Sequence, residues 1–345
     1  MEKNELGGAA LGTELHRWGA ELEGVGLEYE KVQELVEAVT DDTCNVAKDH
    51  RPCSPMNWGV CYDGSVQGKN AFELRTPAFT GDASSWPRLR AVCDALRAAG
   101  ATVNITCGLH IHQDATYILK ALRRQGKDAV HAEGLLFTSA TAVYQGLEAA
   151  LDTIMAPSRR GAGNPQVMSL FHPRAMLADH HLKLSAGALL THGTLEYRHH
   201  AGTLNAHKIF SWAKLTGLIQ ERIAEVALGH ALFPKTPATT IEEALELLGA
   251  NKLLSDYFIA RRDHFQELEG ADPVLPVASL IRSLTCKATR GRGDCRKLTS
   301  EGKRHLAARI YANRQSYREA SLAVQVGAIV PTWFLEALQH EVDRD

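Results

Sequence analysis

The sequence predicts an α+β fold, a compact region mixing strands with helices followed by a helical C-terminal part. Three observations predict it. Short alternating segments rich in strand formers are confined to the part of the chain before His200, helical apolar spacing interleaves them, and from Ala206 onward only helical spacing recurs. The boundary between the two parts falls near Pro234–Thr240, so residues 1–235 are expected to form the main unit and 236–345 a helical extension packed on it.

Arg17–Glu23 (RWGAELE) alternates as a strand does, and Tyr29, Val32, Val36 and Val39 then recur at helical spacing. A hairpin is predicted next: Met56–Tyr62 is rich in strand formers, Asp63-Gly64 is a turn signal, and Ala71–Thr76 runs into Pro77, which ends a strand. Ser84 is placed to cap a helix with Leu89, Val92, Cys93 and Leu96 on one face, and Gly100 to stop it. Thr102–His112 (TVNITCGLHIH) reads as a strand, Asp114 as the cap of a helical stretch reaching Met155, and Ala156–Pro173, with Gly161, Gly163 and three prolines, as an ordered loop. Thr194–His200 is the last strand. Ala206–Gly229 is helical, Pro234 and Pro237 break the chain, and Thr240-Ile-Glu-Glu243 is a capping box. Thr289–Lys297 reads as a basic, glycine-containing loop before helix resumes over Glu301–Glu341.

Composition narrows the function classes. With 38 Lys+Arg against 40 Asp+Glu the net charge is −2, which excludes a protein that coats nucleic acid through general basicity. At 45% hydrophobic and 23% charged residues the chain can bury a sizeable core. The cysteines at 44, 53, 61, 93, 107, 286 and 295 are odd in number and contain no Cys-x-x-Cys pair, so a reducing cytoplasm is the expected compartment. No secretory leader is read at the N-terminus, and no apolar run approaches the roughly 20 residues of a spanning helix.

The chemistry is expected where polar residues stand two apart inside apolar strands, because such residues share a face. Four segments have this pattern: Glu21/Glu23, Glu73/Arg75, His110/His112 and Glu196/Arg198. Any one pair is ordinary on the solvated face of an antiparallel sheet. Four together, three beside glycines (Gly19, Gly108, Gly193), point instead to one field of carboxylates, imidazoles and guanidiniums, a donor set suited to Mg²⁺ or Mn²⁺. Arg159 and Arg160 could hold a phosphate or carboxylate bidentately, a solvated loop reading equally well, and Arg290 to Lys297 could close over an anion, though a plain basic surface loop is the favoured reading there. No phosphate loop or dinucleotide fingerprint occurs, so any nucleotide must be held by metals and arginines. Cys107 reads as a small buried hydrophobe rather than a nucleophile.

Gly19-Ala-Glu-Leu-Glu23, Trp58…Asp63-Gly-Ser65…Phe72-Glu-Leu-Arg-Thr-Pro77, Cys107-Gly-Leu-His-Ile-His112 and Gly193-Thr-Leu-Glu-Tyr-Arg198…Gly202-Thr203, in this order over Trp18 to Trp212, resemble the amidoligase family, carboxylate–amine ligases with the glutamine synthetase fold. The resemblance implies a curved, largely antiparallel sheet carrying ATP and metal ions. Glu21, His110 and Glu196 would hold one metal, and Glu23 and Glu73 the other. Arg198 would stabilise the phosphoryl group in transit, and Arg75, Arg159 and Arg160 would contact phosphate or substrate. Glu73 and Glu196 are read as catalytic beside Arg198, and acids that remain unbound by metal could take the amine's proton. The implied reaction joins an acid and an amine, with peptides and amino acids among the candidates, through an acyl phosphate. Two other readings stay open: a zinc hydrolase using His110, His112 and Glu196, and an inactive binding module of the same fold.

Overall fold

The computed structural model describes residues 17–47, 56–80, 85–160, 164, 167–171, 180–232 and 236–271. Ser84, Gly161, Gly163, Pro234, Cys53, Cys286, Cys295, the loop Arg290 to Lys297 and the helix read over Glu301–Glu341 lie outside the described residues.

The elements run β1 (Arg17–Gly24), α1 (Tyr29–Thr40), β2 (Cys44–Ala47), β3 (Trp58–Cys61), β4 (Phe72–Arg75), β5 (Phe79–Thr80), α2 (Ser85–Ala98), β6 (Gly108–Asp114), α3 (Thr116–Arg124), α4 (Ala129–Asp152), β7 (Leu184–Ser185), α5 (Gly187–His192), β8 (Thr194–Ala201), α6 (Ala206–Ala227), α7 (Ile241–Leu247) and α8 (Lys252–Ala271). Among the described residues the strands form one sheet in the order β2-β3-β4-β1-β6-β8-β7, with β5 pairing the start of β1. Every pairing is antiparallel except β2 with β3, so the fold is α+β as predicted.

Strand alternation divides this sheet into two faces of opposite character. Trp18, Ala20, Leu22, Phe72, Leu74, Leu109, Ile111, Leu195 and Tyr197 bury themselves against the helices. Helices α1, α2, α6 and α4 contact one another in that order across the apolar face. Leu89, Val92, Cys93 and Leu96 of α2 are all buried there, as their spacing predicts. Gln113 ties β6 to α6 by donating to the Ala213 carbonyl and the Thr216 hydroxyl, both at 2.9 Å.

The strand expected from Thr102 begins only at Gly108. Val103, Ile105 and the threonines favour a strand, but the Asn104 side chain accepts from the Thr106 amide at 2.9 Å and turns the chain first. Asp114 ends β6 and accepts the Thr116 amide at 2.8 Å, but the N-cap of α3 is Ala115, one residue beyond the expected cap and without a side-chain cap bond. The helical stretch is divided at Gly126, and Asp128 caps α4. The capping box at Thr240 and Glu243 is present. The described part of the C-terminal region packs on the main unit: Ile241, Ala244, Leu245 and Phe258 join the core, and the Ala238 amide donates to the Gly146 carbonyl at 2.8 Å.

β8 carries a bulge opposite His110, where Leu109 pairs with His200 but Ile111 pairs with Tyr197. The extra residue turns both His199 and His200 into the helical layer. His199 lies 3.0 Å from the Tyr144 hydroxyl through Nδ1 and 2.7 Å from Asp152 through Nε2. Lys183, wholly buried, donates to Asp152 at 2.6 Å and Glu148 at 2.8 Å. His200 Nδ1 meets the Ala201 carbonyl at 2.6 Å, while Nε2 faces an Arg261 guanidinium nitrogen at 3.1 Å, which requires a neutral ring.

Burial, then Lys183, lowers the pKa of His199, and burial, then Arg261, holds that of His200 well below its ordinary value. Below the unfolded value of 6.5 the unfolded chain therefore binds more protons than the native one. Stability from these rings is fully present above pH 6.5 and is lost as pH falls from there toward the folded values, by up to about 1.4 kcal/mol per pH unit for each ring. Urea midpoints should drop between pH 7.5 and 5.5, and less so in His200→Gln; an equal drop in the variant would remove His200 from the account.

Candidate active site

The other face of the sheet opens on a cleft of about 510 Å³. Strand register builds it. Glu21, central in β1, stands across from Arg75 on β4 and His110 on β6, Glu23 across from Glu73, and His112 across from Glu196 on β8. The cleft side chains of four neighbouring strands thus meet over β1. His110 links the carboxylates: Nδ1 lies 3.0 Å from Glu21 Oε2 and 3.6 Å from Glu196 Oε1, and Nε2 lies 3.4 Å from Glu23 Oε1. Gly108 makes room for this ring, since a Cβ there would sit 2.7 Å from His110 Nε2, and its amide donates to Glu23 Oε2 at 2.6 Å.

Two guanidiniums enter from opposite sides. Arg75 Nε donates to Glu73 Oε1 at 2.6 Å and lies 3.6 Å from Glu21, while Arg198 pairs with Glu196 and places Nη1 3.3 Å from His110 Nδ1. Burial works against both cations, but Glu73 and Glu21 outweigh it at Arg75, and Glu196 outweighs it at Arg198, so both pKa values rise. Burial also opposes the Glu21 carboxylate, yet His110 and His112 hold its pKa well below the usual range. Glu73 goes the other way. Burial and the charge of Glu21 push it well up, and Arg75 does not compensate. Asp63, in a turn that accepts the Ser65 amide, keeps a lowered pKa against its own burial.

Among the described residues, three donor sets have ligand atoms within 4.8 Å of one another: Glu21/Glu73/His110, Glu21/His112/Glu196 and Glu23/Asp63/Glu73. All are rich in oxygen, the chemistry hard divalent cations prefer. His112 Nε2 is buried and has no hydrogen-bond partner, as befits a nitrogen aimed at a cation. These residues fit a divalent metal. His110 and His112 fall in different sets.

Of the residues singled out from sequence, Glu21, Glu23, Glu73, Arg75, His110, His112, Glu196 and Arg198 lie on this face. Arg159 and Arg160 do not line the cleft. Arg159 is buried at the Gly108 end of β6, bonded to the Cys107 carbonyl at 2.5 Å and facing Glu23 electrostatically. Arg160 donates to the Met155 carbonyl at 2.7 Å and covers the Phe265 ring at 5.3 Å, which commits it to packing against α8. Cys107 is buried and its thiol pKa raised by that burial, as a structural cysteine's is.

Sequence reasoning missed Asp63 as a donor. It was legible only as a turn residue, but it lies two beyond Cys61, which pairs with Glu73, so parity returns it to the cleft face. Of the rim residues, His180 and His181 precede β7, Thr191 and His192 belong to α5 between β7 and β8, and none carries a motif.

Residues 14–125 match the model of a family described as “Putative amidoligase enzyme”. That stretch holds Glu21, Glu23, Asp63, Glu73, Arg75, His110 and His112, while Glu196 and Arg198 lie beyond it. No curated protein and no solved structure matches the chain.

Proposed function

We propose that the protein is an ATP-dependent carboxylate–amine ligase of the glutamine synthetase type, forming an amide or peptide-like bond through an acyl phosphate. The observation that carries the reading is the composition of the cleft: carboxylates and imidazoles from four adjacent strands, with Arg75 and Arg198 set into the same face. Glu21 and Glu196, with an imidazole of β6, would hold one Mg²⁺ or Mn²⁺, and Glu23, Asp63 and Glu73 the other. When bound, these ions supply positive charge to the ATP phosphates and to the oxygens of the transferring phosphoryl group.

The chain's own residues do the rest. Arg198 reaches from Glu196 toward His110, over the donor sets, where its planar fork stabilises charge developing on the phosphoryl oxygens. A substrate carboxylate oxygen bonds to the γ-phosphorus as the bond to ADP breaks, giving the acyl phosphate. The amine then attacks the acyl carbon, phosphate leaves, and a cleft carboxylate left unbound by metal takes the amine's proton. Arg75 holds Glu73 in place. The buried thiols Cys44, Cys61, Cys93 and Cys107 suit a reducing cytoplasm, and residues 236–345 are read as an extension of the catalytic unit.

Hydroxylamine traps acyl phosphates. Pooled amino acids and short peptides with ATP, Mg²⁺ and hydroxylamine should yield a hydroxamate and ADP in equal amounts, seen by mass spectrometry. Tight stoichiometric zinc with ATP-independent hydrolysis would replace this reading with the hydrolase one. ATP affinity measured by calorimetry should also collapse in excess chelator, because the sequence offers no phosphate loop. Equal affinity with and without the cation would overturn the metal-held nucleotide.

A further inference from the structure

We propose that the metal shared by Glu21 and Glu196 takes its nitrogen from His112 Nε2, that Thr194 sets the tautomer of that ring, and that His110 is an outer hydrogen-bonding brace. The inference rests on the metal reading above and refines it.

The two imidazoles of β6 are differently engaged. Both nitrogens of His110 face carboxylates, Nδ1 toward Glu21 Oε2 at 3.0 Å and Nε2 toward Glu23 Oε1 at 3.4 Å. Arg198 Nη1 also approaches Nδ1, at 3.3 Å. Coordination through either nitrogen would cost an existing contact. His112 has Nδ1 hydrogen-bonded and Nε2 buried without a hydrogen bond. Its Nδ1 lies 2.9 Å from Thr194 Oγ1, while Nε2 is buried, makes no hydrogen bond and stands 3.5 Å from Glu21 Oε1. Glu21, His112 and Glu196 converge within ligand distance.

Thr194 precedes Glu196 by two in β8, and Glu196 is the register partner of His112, so Thr194 is its diagonal neighbour on the same face. In the tautomer proposed, its hydroxyl oxygen accepts the Nδ1 proton, which would leave the lone pair on Nε2, 3.5 Å from Glu21 Oε1. Hydrogen-bond partners of ligating imidazoles fix tautomer and ring orientation in this way, and their loss usually weakens metal binding about 10–100-fold.

The test uses the full chain with less than one equivalent of Mn²⁺ and no substrate, read by pulsed electron paramagnetic resonance for nitrogen coordinated to the ion. A directly bound imidazole should be seen in the wild type and in His110→Gln, and be lost in His112→Gln. Thr194→Val should weaken Mn²⁺ binding about 10–100-fold while Thr194→Ser stays near wild type. Both threonine variants keep both imidazoles, so their contrast decides the matter if a histidine variant fails to fold. Nitrogen coupling that survives His112→Gln and disappears in His110→Gln would overturn the proposal, as would equal affinities of the valine and serine variants. Tight Mn²⁺ binding with no coordinated nitrogen would overturn it and leave the metal reading standing. A wild type that binds no Mn²⁺ would remove the metal reading itself.

Discussion

Arg198→Lys is expected to lower the rate of ATP-dependent amide formation about 10²–10³-fold while leaving the fold and metal-dependent ATP binding near wild type. Lysine keeps the charge but not the fork. At Arg198 one guanidinium nitrogen is committed to Glu196 and extends toward His110, while Nε is buried and without a partner, so the side chain is held by one end and offers the other to the cleft. An ammonium on a flexible stem can satisfy Glu196 or reach a phosphoryl oxygen, and it lacks the planar geometry that does both. The loss should therefore fall on kcat with ATP affinity changed little. A variant matching wild type in hydroxamate formation would reduce Arg198 to a structural partner of Glu196.

Lys183→Met should cost about 3–5 kcal/mol of stability, the usual range when one member of a buried ion cluster is removed. Methionine fills the space of the lysine stem, so the loss is electrostatic. Glu148 would keep its bond from the Leu170 amide and Asp152 its contact with His199, and both would lose the ammonium. Burial opposes the Asp152 charge, and His199 together with Lys183 holds its pKa far down, so Asp152 stays ionised and would be left under-compensated. Urea denaturation at pH 7 measures the loss, and adding Glu148→Gln and Asp152→Asn should recover much of it. A loss under about 1 kcal/mol would mean that water or a neighbour readily replaces the ammonium.

Much of the site was legible because it is written as spacing. Glu21/Glu23, Glu73/Arg75 and Glu196/Arg198 each stand two apart, and a strand turns that spacing into a shared face without help from the rest of the fold. What escaped depends on contacts between distant segments. β2 is four residues that become a strand only by lying parallel to β3, and β5 and β7 are two residues each. The turn at Asn104 overrides local strand preference through side-chain bonds. The β8 bulge was likewise invisible, since simple alternation from Glu196 and Arg198 would send His200 to the cleft, whereas it stacks near Trp212 in the helical layer. Arg160 failed for a related reason: a glycine-rich neighbourhood suggests a free loop, but α8 arrives to cover it.

The two-faced sheet also gives these strands something like a reading frame. Deleting one residue from the middle of β1 would turn the remainder of the strand over, sending a carboxylate into the helical layer and a leucine into the cleft. A point substitution changes one donor and leaves the frame intact. In a protein of this build, variation in chemistry is therefore concentrated in exchanges at fixed positions along the strands, while insertions and deletions are tolerated in the connections between them, except at the β3–β4 turn that carries Asp63.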